Sequence, residues 1–177
     1  MEDNITYRKS TDQDILRISN QIAVSYKSAY KGLMSDDYLL SLSDDYWVPI
    51  LQNAASAGNT CLVAENKDRI IGSVVFGKST MESHVDDTEL FAIYLLPDYI
   101  RCGVGHKLYT EAEKVMIMQK LPGCVLEVLS ENTRAIDFYT SHGFKEIKAF
   151  TVEENGMVLR CKTMYKRLMR PLHHQIE

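Results

Sequence analysis

Between residues 88 and 120 a strand that ends at a proline runs into a turn with two closely placed glycines and then an amphipathic stripe, and no other stretch restricts the fold as strongly. Residues 88–96 are dominated by leucine, aromatic and β-branched side chains, and Pro97, which has no N–H to give a ladder, closes them. From residue 103 to about 120, Val104, Leu108, Ala112 and Val115 fall on one face at helical spacing, so this segment should be a helix packed on a sheet. Pro122-Gly123 stops it. Residues 124–129 are then a nearly continuous apolar run, as a strand buried on both faces requires. A strand, a packed helix and a buried strand form a β-α-β crossover, which places 124–129 beside 88–96 in parallel.

The remaining segments supply helices in front and hairpins around this unit. Residues 5–8 read as a short opening strand, and Thr11 with Asp14 three positions later gives a capping-box-like start to a helix running towards Ala29. Gly32 breaks it, Ser35 can cap a second helical piece, and a third includes Trp47, Ile50 and Leu51. Residues 60–65 and 70–77 read as a hairpin around Asn66-Lys67-Asp68-Arg69. Asn132 caps a helix through Tyr139, Gly143 suits its left-handed C-terminal position, and 144–152 with 157–167 form a closing hairpin around Asn155-Gly156. The class is therefore α/β (α+β): a mixed, mostly antiparallel central sheet with helices on both faces and one central β-α-β crossover. At 177 residues the expected organisation is a single domain over 1–177.

Charge and cysteine usage narrow the function classes. Twenty Lys plus Arg against 24 Asp plus Glu argue against a general nucleic-acid binder and mildly favour a cationic substrate. The basic residues Arg160, Lys162, Lys166, Arg167 and Arg170 alternate with Leu159, Cys161 and Tyr165, as the solvated side of a strand does. Cys61, Cys102, Cys124 and Cys161 form no C-x-x-C pair, which suggests neither a zinc knuckle nor a disulfide framework. No histidine and acid set has metal-ligand spacing, so no metal is expected. No stretch approaches the roughly 18 apolar residues of a membrane span, so the expected setting is the cytoplasm, away from the membrane. A homodimer stays open.

The glycine-rich turn carries the chemistry. Glycine lets backbone approach a ligand closely and take positive φ, while the first N–H groups of a helix and its roughly +0.5 terminal charge attract phosphate oxygens. A P-loop is excluded because Lys107 is followed by Leu108 and no hydroxyl is available for magnesium. A dinucleotide fingerprint is excluded because Leu108 stands three after Gly105.

Ile100-Arg101-Cys102-Gly103-Val104-Gly105 resembles the coenzyme A motif Q/R-x-x-G-x-G/A of the GNAT superfamily of N-acetyltransferases, with Ile100 departing from its first position and Arg101 standing next to it. The run from Asn132 to Phe144 resembles the superfamily's N-x-x-A-x-x-F-Y-x-x-x-G-F almost letter for letter. The resemblance implies acetyl-coenzyme A as cosubstrate, held by backbone groups of Ile93, Tyr94 and Leu95 along the pantetheine arm and by Arg101, Cys102, Gly103, Val104, Gly105, His106 and Lys107 at the phosphates, with Asn132 reaching the coenzyme. It implies Tyr139 beside the thioester sulfur, Glu89 at the start of its strand as general base, and Leu95 as oxyanion donor. The segment from Tyr26 to Leu39 looks like an aromatic-rich helical pair covering the acceptor, with Tyr26 and Tyr30 as substrate contacts. His142 serves a helix end, and His173 and His174 have no role.

An alkylamine of pKa near 10.4 is only about one part in a few thousand neutral at pH 7, so a base is needed before attack. The resulting oxyanion needs N–H donors, and the leaving thiolate needs a proton or a favourable dipole. The expected reaction is direct acetylation of a small-molecule primary amine in a ternary complex. The alternatives are acetylation of a protein N-terminus or lysine, which requires an open groove, and a non-catalytic acyl-coenzyme A sensor.

Overall fold

The computed structural model describes residues 5–154 and 156–168; Asn155 of the expected closing turn, Arg170, His173 and His174 lie outside the described residues. The opening strand is β1 (Thr6–Lys9). Thr11 then donates through N–H and hydroxyl to the Asp14 carboxylate at 2.8 and 3.0 Å, holding one turn of 3-10 helix that leads into α1 (Ile15–Tyr30). Gly32 at φ +78° turns the chain, and the Ser35 hydroxyl accepts from the Tyr38 N–H to start α2 (Asp36–Ser41). α3 (Val48–Ser56) follows Trp47.

The hairpin β2 (Thr60–Asn66) and β3 (Arg69–Lys78) closes through Lys67 and Asp68, both at positive φ, as the twist of a two-residue turn demands. Then come β4 (Thr88–Leu95), α4 (Val104–Met118), β5 (Gly123–Leu129), α5 (Thr133–Ser141), β6 (Lys145–Glu154) and β7 (Met157–Arg167). Among the described residues seven strands share one sheet in the order β1-β2-β3-β4-β5-β7-β6, and only β4 and β5 pair in parallel. Eight consecutive residues of β3 are buried because both of its faces are covered.

Alternation along the strands divides the core. Leu62, Ala64, Ile71, Phe76 and Leu90 pack under Leu108, Tyr109, Ala112 and Met116 of α4. Val63, Ile70 and Val75 point the other way, under Ile18 and Ile22 of α1, Leu39 of α2 and Leu51 of α3. Among the described residues no helix is long and apolar enough to cross a membrane.

The feature that positions the site is a failure of pairing. β4 and β5 match only at Thr88 with Cys124 and Glu89 with Val125. On the β3 side, Val75 faces Ala92 and Phe76 faces Leu90, which leaves Phe91 as an extra residue in β4. Such a bulge bends the strand that carries it, and beyond it β4 swings away from β5. A cleft opens between the two strands where a ladder would otherwise continue.

Candidate active site

The cleft has a volume of about 680 Å³ and is walled by β4 from Phe91 to Leu95, by the turn between Ile100 and His106, by Glu127 and Val128 of β5, by Asn132 and one face of α5, and by Ser25, Ala29 and Tyr30 of α1. Its first wall is backbone. The N–H of Leu96 is spent on the Ile71 carbonyl at 2.8 Å, and strand alternation therefore turns the peptide groups of Leu95 and Ile93 away from β3 towards the cleft. Arg101 and Gly103 both have positive φ, at 63° and 78°. The first backbone bond of α4 runs from Lys107 N–H to Gly103 O, and the N–H groups of residues 101–106 meet no acceptor among the described residues. With no acid in the first turn of α4, this row of free donors fits the phosphates of a coenzyme. A Cβ on Gly105 would stand 2.9 Å from Leu95 Cδ1 and 3.6 Å from the Phe138 ring, inside the cradle.

The second wall is made of side chains. The Asn132 amide oxygen accepts from the Ala135 N–H at 3.2 Å and so caps α5 while lining the cleft. That cap sets the rotation of α5, and Tyr139, 8 % exposed between the Phe138 and Phe144 rings, lines the cleft from the same face. Burial is the chief reason its phenol is held above the ordinary tyrosine value, with Tyr30 and Cys124 adding to it. The Tyr139 hydroxyl makes no side-chain hydrogen bond among the described residues, which leaves it free to donate. Tyr30 and Tyr94 are likewise raised by burial, and interaction with Tyr94 and with the Asn132 amide offsets part of the shift at Tyr30.

Ten of the residues singled out by sequence line the cleft: Tyr30, Ile93, Tyr94, Leu95, Arg101, Gly103, Gly105, His106, Asn132 and Tyr139. Five do not. The Glu89 carboxylate is taken up by the Thr80 N–H at 2.8 Å, the Thr80 hydroxyl at 3.0 Å and the Ser79 hydroxyl at 3.2 Å. Its position in the short paired part of β4 and β5 explains this, because the cleft begins only after the bulge. Cys102 turns its thiol back to the carbonyls of Asp98 and Ile100, Val104 is 2 % exposed in the core, and Lys107 pairs with Glu111 at 2.9 Å. Tyr26 lies behind Tyr30 and Tyr94, with ring centroids 4.3 and 5.9 Å away, and reaches the Met34 sulfur at 3.5 Å.

The residue that sequence reasoning missed is Glu127. It and Asp137 are the carboxylates on the cleft wall. Glu127 is the one exposed residue of β5, and partial desolvation at the cleft, then the negative charge of Glu89, raises its pKa from the ordinary carboxylate value, with Lys148 pulling the other way. A single charged letter inside the apolar run 124–129 was the available signal. His142 serves the helix end as expected, its Nδ1 2.8 Å from the Phe138 carbonyl, and it also lines the cleft beside His106, with His106 Nδ1 2.9 Å from His142 Nε2.

Residues 26–144 match the model of the Acetyltransferase (GNAT) family. The chain is 26% identical over 148 residues to the spermidine N(1)-acetyltransferase of Thermoplasma acidophilum, covering 80% of this chain and 89% of that one. It is 30% identical over 103 residues to the peptidyl-lysine N-acetyltransferase YiaC of Escherichia coli, covering 56% of this chain and 62% of the relative. The crystal structure of PaiA N-acetyltransferase from Thermoplasma acidophilum in complex with coenzyme A superimposes with a TM-score of 0.71 at 25% identity, over 93% of this chain and 99% of that one. With the splayed strands, the free amide row and these matches in hand, the chain belongs to the GNAT acetyltransferase family and is an acyl-coenzyme A dependent N-acetyltransferase.

Proposed function

We propose that this protein acetylates the primary amine of a small cationic molecule by direct attack on acetyl-coenzyme A within a ternary complex. The observation that carries the small-molecule reading is the closed acceptor end. Tyr30 and Met34, at the end of α1 and just after it, pack against Leu129, Leu159 and Cys161 together with Phe150, Val152 and Met157 of the closing hairpin. This bridge stands at the α1 end of the cleft, and we read it as closing that end to a peptide backbone. The carboxylates of Glu127 and Asp137 on the cleft wall are groups with which a cation can pair. The similarity to a spermidine acetyltransferase supports the same reading, whereas that to a peptidyl-lysine acetyltransferase supports the protein-directed alternative.

Acetyl-coenzyme A brings, as substrate, an activated carbonyl and a thiol leaving group. The turn N–H groups and Arg101 hold its phosphates, and the β4 peptide groups at Ile93 and Leu95 align its arm, with the Leu95 N–H aimed at the oxygen that becomes negative. Glu127 takes one proton from the bound ammonium, directly or through one water, so that the nitrogen lone pair can attack the carbonyl and form the new C–N bond; as the tetrahedral intermediate collapses the C–S bond breaks, and the nitrogen's second proton passes to the departing thiolate. A raised pKa suits that task, because a base closer to neutrality accepts a proton from an amine with less penalty. Tyr139 donates a hydrogen bond to the departing sulfur. Full transfer is unnecessary, since a thiol near pKa 8.5 is a stronger acid than a phenol near 10.

The test is coenzyme A thiol release from acetyl-coenzyme A over a panel of polyamines, amino acids, aminoglycosides and N-terminal and lysine peptides, after subtraction of the amine-free rate. Turnover with small cationic amines and none with peptides is the expected result; preference for a peptide would overturn the small-molecule reading. Tight coenzyme binding with no release from any amine would instead support a sensor.

A further inference from the structure

The two histidines at the phosphate end of the cleft fix each other's protons. His142 Nδ1 lies 2.8 Å from the Phe138 carbonyl, which can only accept, so Nδ1 carries the hydrogen. Neutral His142 then presents Nε2 as an acceptor, and His106 Nδ1, 2.9 Å away, must be the donor. His106 is left with Nε2 as its only uncommitted ring nitrogen, and in the neutral pair that nitrogen is an acceptor, which a phosphate oxygen repels.

One added proton reverses this, wherever it settles. On His106 it makes an imidazolium whose Nε2–H points away from His142. On His142 it makes both nitrogens of that ring donors, so His106 must accept through Nδ1 and again carries its hydrogen on Nε2. A second proton would set two N–H groups against each other across 2.9 Å. The pair therefore takes up one proton, and either arrangement offers one outward N–H and one positive charge.

We propose that His106, oriented by His142, is a phosphate ligand that engages the coenzyme only when the pair carries this single proton, so that coenzyme affinity is set by pH in the neutral range. The inference rests on the coenzyme reading of the cleft. His106 is the third residue of α4, inside the row of free amides, and both rings line the cleft. Burial holds His142 below the ordinary histidine value, against the pull of the Phe138 carbonyl, which biases the added proton towards His106. The charged and titratable groups around the pair are Lys166 of β7, paired with Glu113 of α4, Tyr109 of α4, whose ring lies 4.4 Å from His142, and Arg101, Arg134 and Asp137 on the cleft wall. None of these side-chain types ordinarily titrates between pH 6 and 8.5.

The experiment is calorimetric titration of the full-length protein with coenzyme A and with dephospho-coenzyme A from pH 6 to 8.5. The dissociation constant should rise on the order of tenfold from pH 6.5 to 8.5, as the pair gives up its proton. The 3′-phosphate loses its own second proton near pH 6, which strengthens binding as pH rises and cannot mimic the effect. A slope kept with dephospho-coenzyme A assigns the contact to the pyrophosphate, and a slope lost with it assigns the contact to the 3′-phosphate; both uphold the inference. His106→Gln should flatten the profile. His142→Asn should move its midpoint, because the shared proton loses its second seat, and His142→Gln, which restores an acceptor near Nε2, should move it less. Binding that is flat with pH in the wild type, or a slope that survives in His106→Gln, overturns the inference alone. No coenzyme binding at any pH overturns it together with the coenzyme reading.

Discussion

The two walls of the cleft are built by different means. The wall formed by β4 and the 100–106 turn presents peptide groups: free N–H donors, two left-handed residues and a glycine whose missing Cβ makes the cradle. The wall formed by β5, α5 and the end of α1 presents side chains whose protons matter: Glu127, Tyr139, Asn132 and Tyr30. Backbone donors aim without reorganising and are indifferent to most substitutions nearby, which suits a constant ligand. Side chains can change protonation state, which suits the reacting end. Substitutions on the first wall should therefore act on coenzyme binding, and those on the second on turnover.

The largest effect is expected at Glu127. Glu127→Gln removes the proton acceptor and should lower kcat by about 10²- to 10⁴-fold in steady-state assays, with the KM for acetyl-coenzyme A little changed. In the wild type, kcat should rise with pH through a midpoint above the ordinary carboxylate value, since the raised Glu127 pKa means its base form appears later on the pH scale. An unshifted pH profile in Glu127→Gln would remove Glu127 from the mechanism. Gly105→Val fills the cradle between Leu95 and Phe138 and should weaken coenzyme binding by about 100-fold, read by calorimetry, without needing any change in the acceptor. Tyr139→Phe keeps the ring packing and removes one hydrogen bond to sulfur, so kcat should fall about 10- to 100-fold; a loss confined to coenzyme affinity would move Tyr139 to the binding wall.

The smallest effect on activity is expected far from both walls. Asp14, 2 % exposed, is gripped by Arg8 at 2.7 Å and Arg17 at 3.0 Å, beside Glu65. Asp14→Asn leaves two guanidinium groups short of a partner and should cost about 3 kcal/mol of stability, seen as a lowered Tm, with kcat and KM at 20 °C unchanged. Arg8 is the main reason the Asp14 carboxyl titrates far below the usual range. A depressed folded pKa gives stability that is complete above the unfolded value near 3.9 and is lost as pH falls further, so the Tm gap between wild type and Asp14→Asn should narrow in acid.

The first wall was legible in the letters because backbone geometry leaves marks on sequence: Gly103 and Gly105, and the proline that ends β4. The β-α-β crossover was legible for the same reason. The splay of β4 from β5 was not, because it follows from Phe91 being left over in the register with β3, and a bulge has no letter of its own. That is also why Glu89 read as a cleft residue: a strand start looks alike whether its carboxylate faces substrate or, as here, the hydroxyls of Ser79 and Thr80. Glu127 was hidden by the opposite error. A strand read as buried on both faces has one edge that opens onto the cleft, and the single charged residue sits there. Tyr26 and Tyr30, four apart on one helix face, could not be told apart by spacing; packing puts Tyr30 on the cleft and Tyr26 behind it.

The division between a backbone wall and a proton-handling wall is tested most directly by measuring acetyl-coenzyme A binding and amine-dependent thiol release on Gly105→Val and Glu127→Gln side by side. The account predicts a clean separation: Gly105→Val loses binding, and Glu127→Gln binds like the wild type but does not turn over. Glu127→Gln that turns over normally, or that fails through lost coenzyme affinity, would contradict it.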